Sequence, residues 1–91
     1  MKSLRYWPGI QGQVQQLPPA ARTKMRTALE SLTKSKKGLD VKRLRGEFEH
    51  PLHRLKVGSW RAAFYESGNS IFVIRVFARR DGYDWLEQWE I

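Results

Sequence analysis

The sequence predicts a small α+β domain in which an N-terminal strand and an αα-hairpin pack on one face of a small antiparallel sheet, in the order βααβββ. Three observations predict it. Apolar residues recur at helical spacing between Ile10 and Thr33, interrupted by Pro18-Pro19. Three runs of period 2 follow between Leu52 and Ala78, separated by glycine-containing turns. The 91 residues, 41% of them hydrophobic, suffice for one packed core and leave no room for a second, so residues 1–91 form a single domain.

Taken in order, Leu4-Arg5-Tyr6-Trp7 reads as a short edge strand closed by Pro8-Gly9. Ile10, Val14 and Leu17 share one side of a first helix. Pro19 suits the first turn of a second helix running to about Thr33. Its apolar stripe is Ala21, Met25, Ala28, Leu29 and Leu32, and its other face carries Arg22, Lys24 and Arg26. Ser35-Lys36-Lys37-Gly38 is a polar break, and Leu39–His50, without a clean period, reads as a basic connecting segment. Leu52–Val57, Trp60–Glu66 and Ser70–Ala78 are the strands of a meander, turned at Gly58-Ser59 and Ser67-Gly68-Asn69. Trp85 and Trp89, four apart, and the acids Asp81, Asp84, Glu87 and Glu90 allow a short C-terminal helix.

Composition removes several function classes. With no cysteine, disulfide staples, zinc ribbons and thiol chemistry are excluded. His50 and His53 are too few for a histidine-rich metal centre. The run Ile71–Phe72–Val73–Ile74 is far shorter than a membrane span, and Met1–Pro8 has no apolar signal core, so a cytoplasmic protein is expected. The net charge is +8, and it is concentrated: residues 1–46 hold 11 cations against Glu30 and Asp40, whereas residues 47–91 are close to neutral. Such an excess points to an anionic partner, nucleic acid first and an acidic protein second.

Strict alternation along the meander buries Leu55, Val57, Ala62, Phe64, Phe72, Ile74 and Val76 beneath the helices. It places Arg54, Lys56, Arg61 and Arg75 together on the uncovered face, with Tyr65 and Phe77 among them. Cations on an open sheet face are ordinary solvation. Cations interleaved with aromatics also suit single-stranded nucleic acid.

The elements Arg43-Leu44-Arg45-Gly46, His53-Arg54-Leu55-Lys56-Val57-Gly58-Ser59-Trp60-Arg61 and Phe64-Tyr65 resemble the RelE/ParE toxin superfamily, as does the ending Arg79-Arg80-Asp81-Gly82-Tyr83. Its members show a K-L-x-G element, then Y-R-L-R-V-G-D-Y-R-V-x-Y, then a basic pair followed by a tyrosine. The resemblance implies a toxin of a type II toxin–antitoxin system, held by a cognate antitoxin. RelE-like members cleave messenger RNA in the ribosomal A site, whereas ParE-like members inhibit DNA gyrase without a nuclease site. Both ends of the pattern are present here, which favours the nuclease branch. Carried over by position, the catalytic set is Arg54, Lys56, Arg61, Arg80 and Tyr83, and Arg43, Arg45, Arg75 and Arg79 complete the RNA-binding cations. No metal and no cofactor are implied.

Metal-free RNA cleavage needs a base for the 2′-hydroxyl, charge stabilisation at phosphorus and an acid for the leaving 5′-oxygen. Where some family nucleases carry lysine this chain has Arg54, which cannot deprotonate and so cannot be the base. Lys56, His53 and Tyr83 remain. His53 alternates toward the buried side, and Tyr83 suits the acid or a stacking surface. Like charges disfavour protonation of a crowded lysine, so Lys56 is the candidate base, with Arg61 and Arg80 stabilising the phosphate. The expected partners are the ribosome with its message and an acidic, amphipathic antitoxin segment. Its carboxylates would face Arg22, Arg26, Arg43 and Arg45, and Tyr65, Phe77, Trp85 or Trp89 would anchor its apolar side. The free toxin is expected to be a monomer and to form a hetero-oligomer with the antitoxin.

Overall fold

The computed structural model describes residues 1–46 and 49–88. The chain runs β1 (Ser3–Tyr6), α1 (Ile10–Gln15), α2 (Pro19–Lys34), β2 (Asp40–Arg43), β3 (His53–Val57), β4 (Trp60–Ser67) and β5 (Ser70–Ala78). Two 3-10 turns follow, Arg79–Asp81 and Asp84–Gln88. The five strands form one sheet in the order β1-β5-β4-β3-β2, with the helices on one face.

The helices stand where the prolines and the 3.6-residue spacing place them. Gly9 takes φ 83 after Pro8 to enter α1, a conformation that costs glycine little. Pro18 is extended and Pro19 opens α2, whose missing N–H is one the helix could not have paired. Met25, Leu29 and Leu32 are buried along one side of α2 and meet Ile10, Val14 and Leu17. Beneath them lie Leu55, Ala62, Phe64, Ile71 and Val73 of the sheet. At one corner Glu66 accepts Lys2 at 2.7 Å and Lys36 at 3.2 Å, tying the N-terminus and the loop after α2 to the end of β4.

In three places the structure departs from the sequence expectations. The basic connecting segment contains a strand: β2 pairs antiparallel with β3, Val41 opposite Leu55 and Lys42 opposite Arg54. Four residues with a single half-buried valine leave too little periodicity to reveal it. Strand β1 pairs parallel with β5, Ser3 opposite Ser70 through Tyr6 opposite Val73, so the sheet is mixed and not wholly antiparallel. The two helices carry the chain from β1 to the opposite edge at β2, and the meander then returns β5 to lie beside β1.

The third departure is a β-bulge. Ala63 pairs with Arg75 but Phe64 pairs with Val73, which leaves Ile74 as an extra residue in β5. One extra residue inverts the phase of alternation. Ile71 and Val73 therefore lie under the helices, while Phe72 and Ile74 lie on the opposite side, contrary to strict alternation. That opposite side is covered as well. Leu52, Ala63, Tyr65, Ile74 and Phe77 form a second buried cluster, against which Trp7, Leu44, Trp85 and Leu86 pack. Tyr65 stacks on Phe72 at 5.0 Å and accepts a hydrogen bond from Trp7 Nε1, so neither Tyr65 nor Phe77 is the exposed aromatic expected. The short C-terminal helix is a 3-10 turn holding Trp85 edge-on to Phe77 at 5.6 Å. Trp89 and Glu90, which complete the expected stripes, lie outside the described residues.

Candidate functional site

Strand register sets out the cations. Arg54 of β3 lies opposite Ala63 of β4, which lies opposite Arg75 of β5. At roughly 4.8 Å between neighbouring strands, the two arginine backbones stand about 10 Å apart across a small alanine. In the next row Lys56 lies opposite Arg61, and Arg61 opposite Phe77. On the outer side β2 brings Lys42 opposite Arg54 and Asp40 opposite Lys56. Arg54 also borders a groove of about 330 Å³ lined by Lys42, Arg43, Leu44, Arg45, Arg54, Tyr83 and Leu86.

Each side chain is held differently. The Arg54 side chain is 16% exposed, and its Nη1 donates to Asp40 Oδ1 at 2.9 Å and to the Asp40 carbonyl at 3.1 Å. This hydrogen bond holds the Asp40 carboxyl below the usual aspartate range, helped by the charges of Arg54, Lys56 and Arg61. Lys56 is exposed and makes no ion pair among the described residues. Arg75 is exposed, with its guanidinium carbon 5.5 Å from the centre of the Trp85 ring, a cation–π contact. Tyr83 stands edge-on to Phe77 at 5.2 Å and remains 37% exposed at the groove.

Arg61 is not on an open face. It is 7% exposed, and its Nη1 donates to the carbonyls of Gly58 at 2.8 Å and Trp60 at 3.0 Å. It closes the β3–β4 hairpin from inside, with no pair to Glu66, whose carboxylate is taken by Lys2 and Lys36. Arg79 and Arg80 are exposed in the 3-10 turn after β5, where the Arg79 N–H bonds the Ser59 carbonyl at 2.8 Å. They sit at the hairpin end and do not line the groove.

The groove thus unites Arg43, Arg45, Arg54 and Tyr83, with Lys56 beside it and Arg75 two strands away. Sequence reasoning missed Asp40 and Lys42. Leu39 and Val41 alternate with them, but the run is too short to mark a strand by itself.

His53 points inward as alternation predicts, stacked on Phe64 at 5.6 Å. Burial holds its pKa below the ordinary histidine value, and the charges of Lys36 and Arg43 act in the same sense. Burial alone would raise the Glu66 carboxyl, but the hydrogen bonds from Lys2 and Lys36 outweigh it and the net shift is downward. For Asp40, Glu66 and His53 alike the folded value is below the unfolded one, so the unfolded chain takes up protons first on acidification. Stability is then complete above the unfolded values and falls as pH drops through the folded ones. The urea midpoint is expected to be flat between about pH 7 and 9, to fall below about 6.5 with His53, and to fall again below about 4.5 with Glu66 and Asp40. His53→Gln should remove the first fall alone; a midpoint that rises from pH 7 to pH 5 contradicts this account.

No family model matches the chain, and no curated protein does. Solved structures do. A chain of the RelB–RelE antitoxin–toxin complex from Methanococcus jannaschii superposes with a TM-score of 0.72 at 20% identity, covering 89% of this chain and 96% of that one. The archaeal RelE–RelB complex from Pyrococcus horikoshii gives a TM-score of 0.66 at 20% identity, over 86% of this chain and 94% of that one. A copper-bound mutant toxin from Helicobacter pylori gives 0.65 at 13% identity, over 90% and 99%. The chain has the RelE-like toxin fold.

Proposed function

We propose that this chain is the toxin of a type II toxin–antitoxin pair and a ribosome-dependent endoribonuclease that cuts messenger RNA in the cytoplasm without a metal. The observation that carries the reading is the groove itself: on a RelE-like fold, Arg43, Arg45 and Arg54 converge with Tyr83, and Lys56 follows Arg54 two residues on along β3. By likeness to the RelB-bound toxins, the partner is a cognate antitoxin, and the net charge of +8 suits an acidic segment on it.

In the proposed reaction Lys56 takes the proton of a 2′-hydroxyl, and the 2′-oxygen attacks the adjacent phosphorus. The bond to the 5′-oxygen breaks, leaving a 2′,3′-cyclic phosphate, and Tyr83 supplies the proton to the departing oxygen. Arg54 stabilises the charge on the phosphate, its planar fork matching the oxygens, and Arg80 adds positive charge from the hairpin end. Arg61, already committed to two carbonyls, adds positive potential beside Lys56.

Primer extension on a message after induction tests this. Discrete cuts support the nuclease; intact messages with DNA damage reject it in favour of gyrase inhibition. Naked RNA should be cut poorly, because aligning the 2′-oxygen with phosphorus is a large part of the barrier and the ribosome supplies that alignment. Purified protein that degrades free RNA as fast as ribosome-bound message contradicts the ribosome dependence.

A further inference from the structure

We propose that Asp40 is a positioning residue that holds the Arg54 guanidinium so that its Nε and Nη2 side is presented to a phosphate in the groove. Both hydrogen bonds to Asp40 come from Nη1, one to the carboxylate and one to the main-chain carbonyl. Nε and Nη2 have no hydrogen-bond partner among the described residues, and these are the donors left for an anion. The register explains the reach. Lys42 is directly opposite Arg54, so Asp40, two residues along β2, is its diagonal neighbour on the same face.

The arrangement needs an anchor. Lys42, Arg43 and Arg45 line the same groove, and repulsion among them would drive a long, unpaired arginine side chain out toward solvent. Asp40 is the carboxylate bonded to a groove cation among the described residues, and it meets Arg54 and Lys56 from β3 and Arg61 from β4. An acid placed here lowers the local positive potential and so weakens attraction to RNA. Its presence is explained by aim and not by affinity.

The kinetic consequence rests on the nuclease reading; the geometry does not. Asp40→Ala removes the carboxylate and adds one net positive charge, and an ion pair whose carboxylate is more than half exposed contributes little to folding, so the variant remains folded. On programmed ribosomes kcat is expected to fall about tenfold or more, since small misplacements of reacting groups carry penalties of that order. KM should stay level or fall. An unchanged or raised kcat, or a KM that rises as kcat falls, overturns the proposal. Nitrogen-detected NMR of the isolated protein decides the geometry without any activity: rotation of the Arg54 guanidinium should be slow in the parent chain and averaged in Asp40→Ala. Equal averaging in both overturns it. A parent chain that leaves ribosome-bound messages intact rejects the nuclease reading, while the NMR comparison still decides whether Asp40 holds Arg54.

Discussion

Lys56→Ala is expected to lower message cleavage on ribosomes by about 10²- to 10⁴-fold, the usual contribution of a positioned general base. The side chain is exposed, forms no ion pair among the described residues and lies on the first strand of the β3–β4 hairpin, whose pairing is made by backbone atoms. Its removal therefore leaves the melting temperature within a few degrees of the parent. The same variant should lose growth inhibition in cells. A folded Lys56→Ala chain with full cleavage would remove the proposed base and leave Tyr83 as the group to test.

Arg61→Ala is expected to fail in a different way. Its guanidinium is buried and serves two carbonyls at the end of the β3–β4 hairpin, so truncation removes two part-buried, charge-assisted hydrogen bonds. The cost is about 1–3 kcal/mol, which for a domain of this size lowers the thermal midpoint by roughly 10 °C. Cleavage falls too, because the turn that carries Lys56 loses its internal brace. Arg61→Lys should recover only part of the stability, since an ammonium lacks the planar fork. Thermal melts of both variants beside cleavage assays separate the two effects. A fully stable Arg61→Ala chain would show that the two carbonyl bonds contribute nothing, and would return Arg61 to the expectation drawn from alternation alone.

The two variants show where local pattern stops being informative. Lys56 lies on a strand whose alternation continues unbroken, so its face and exposure follow from period 2 alone. Arg61 obeys the same alternation, yet whether its long side chain extends into solvent or folds back onto the turn depends on acceptors that exist only once the hairpin has closed. Arg54 was legible as a groove cation; its anchor was not, because Asp40 becomes its neighbour only through the pairing of β2 with β3.

By itself the sequence determined the two helices, through paired prolines and apolar residues at 3.6-residue spacing, and the three-strand meander, through period 2 and glycine turns. These are short-range properties, set by backbone stereochemistry and by which side of an element is apolar. Tertiary structure alone decided the parallel docking of β1 on β5, the edge strand β2 and the extra residue at Ile74. It also decided that Trp85 and Leu86 cover the face opposite the helices. The physical reason is common to all four. Strand pairing joins residues far apart in the chain and is selected by the total area buried, and a single bulged residue reverses every later side chain without altering the composition of the strand.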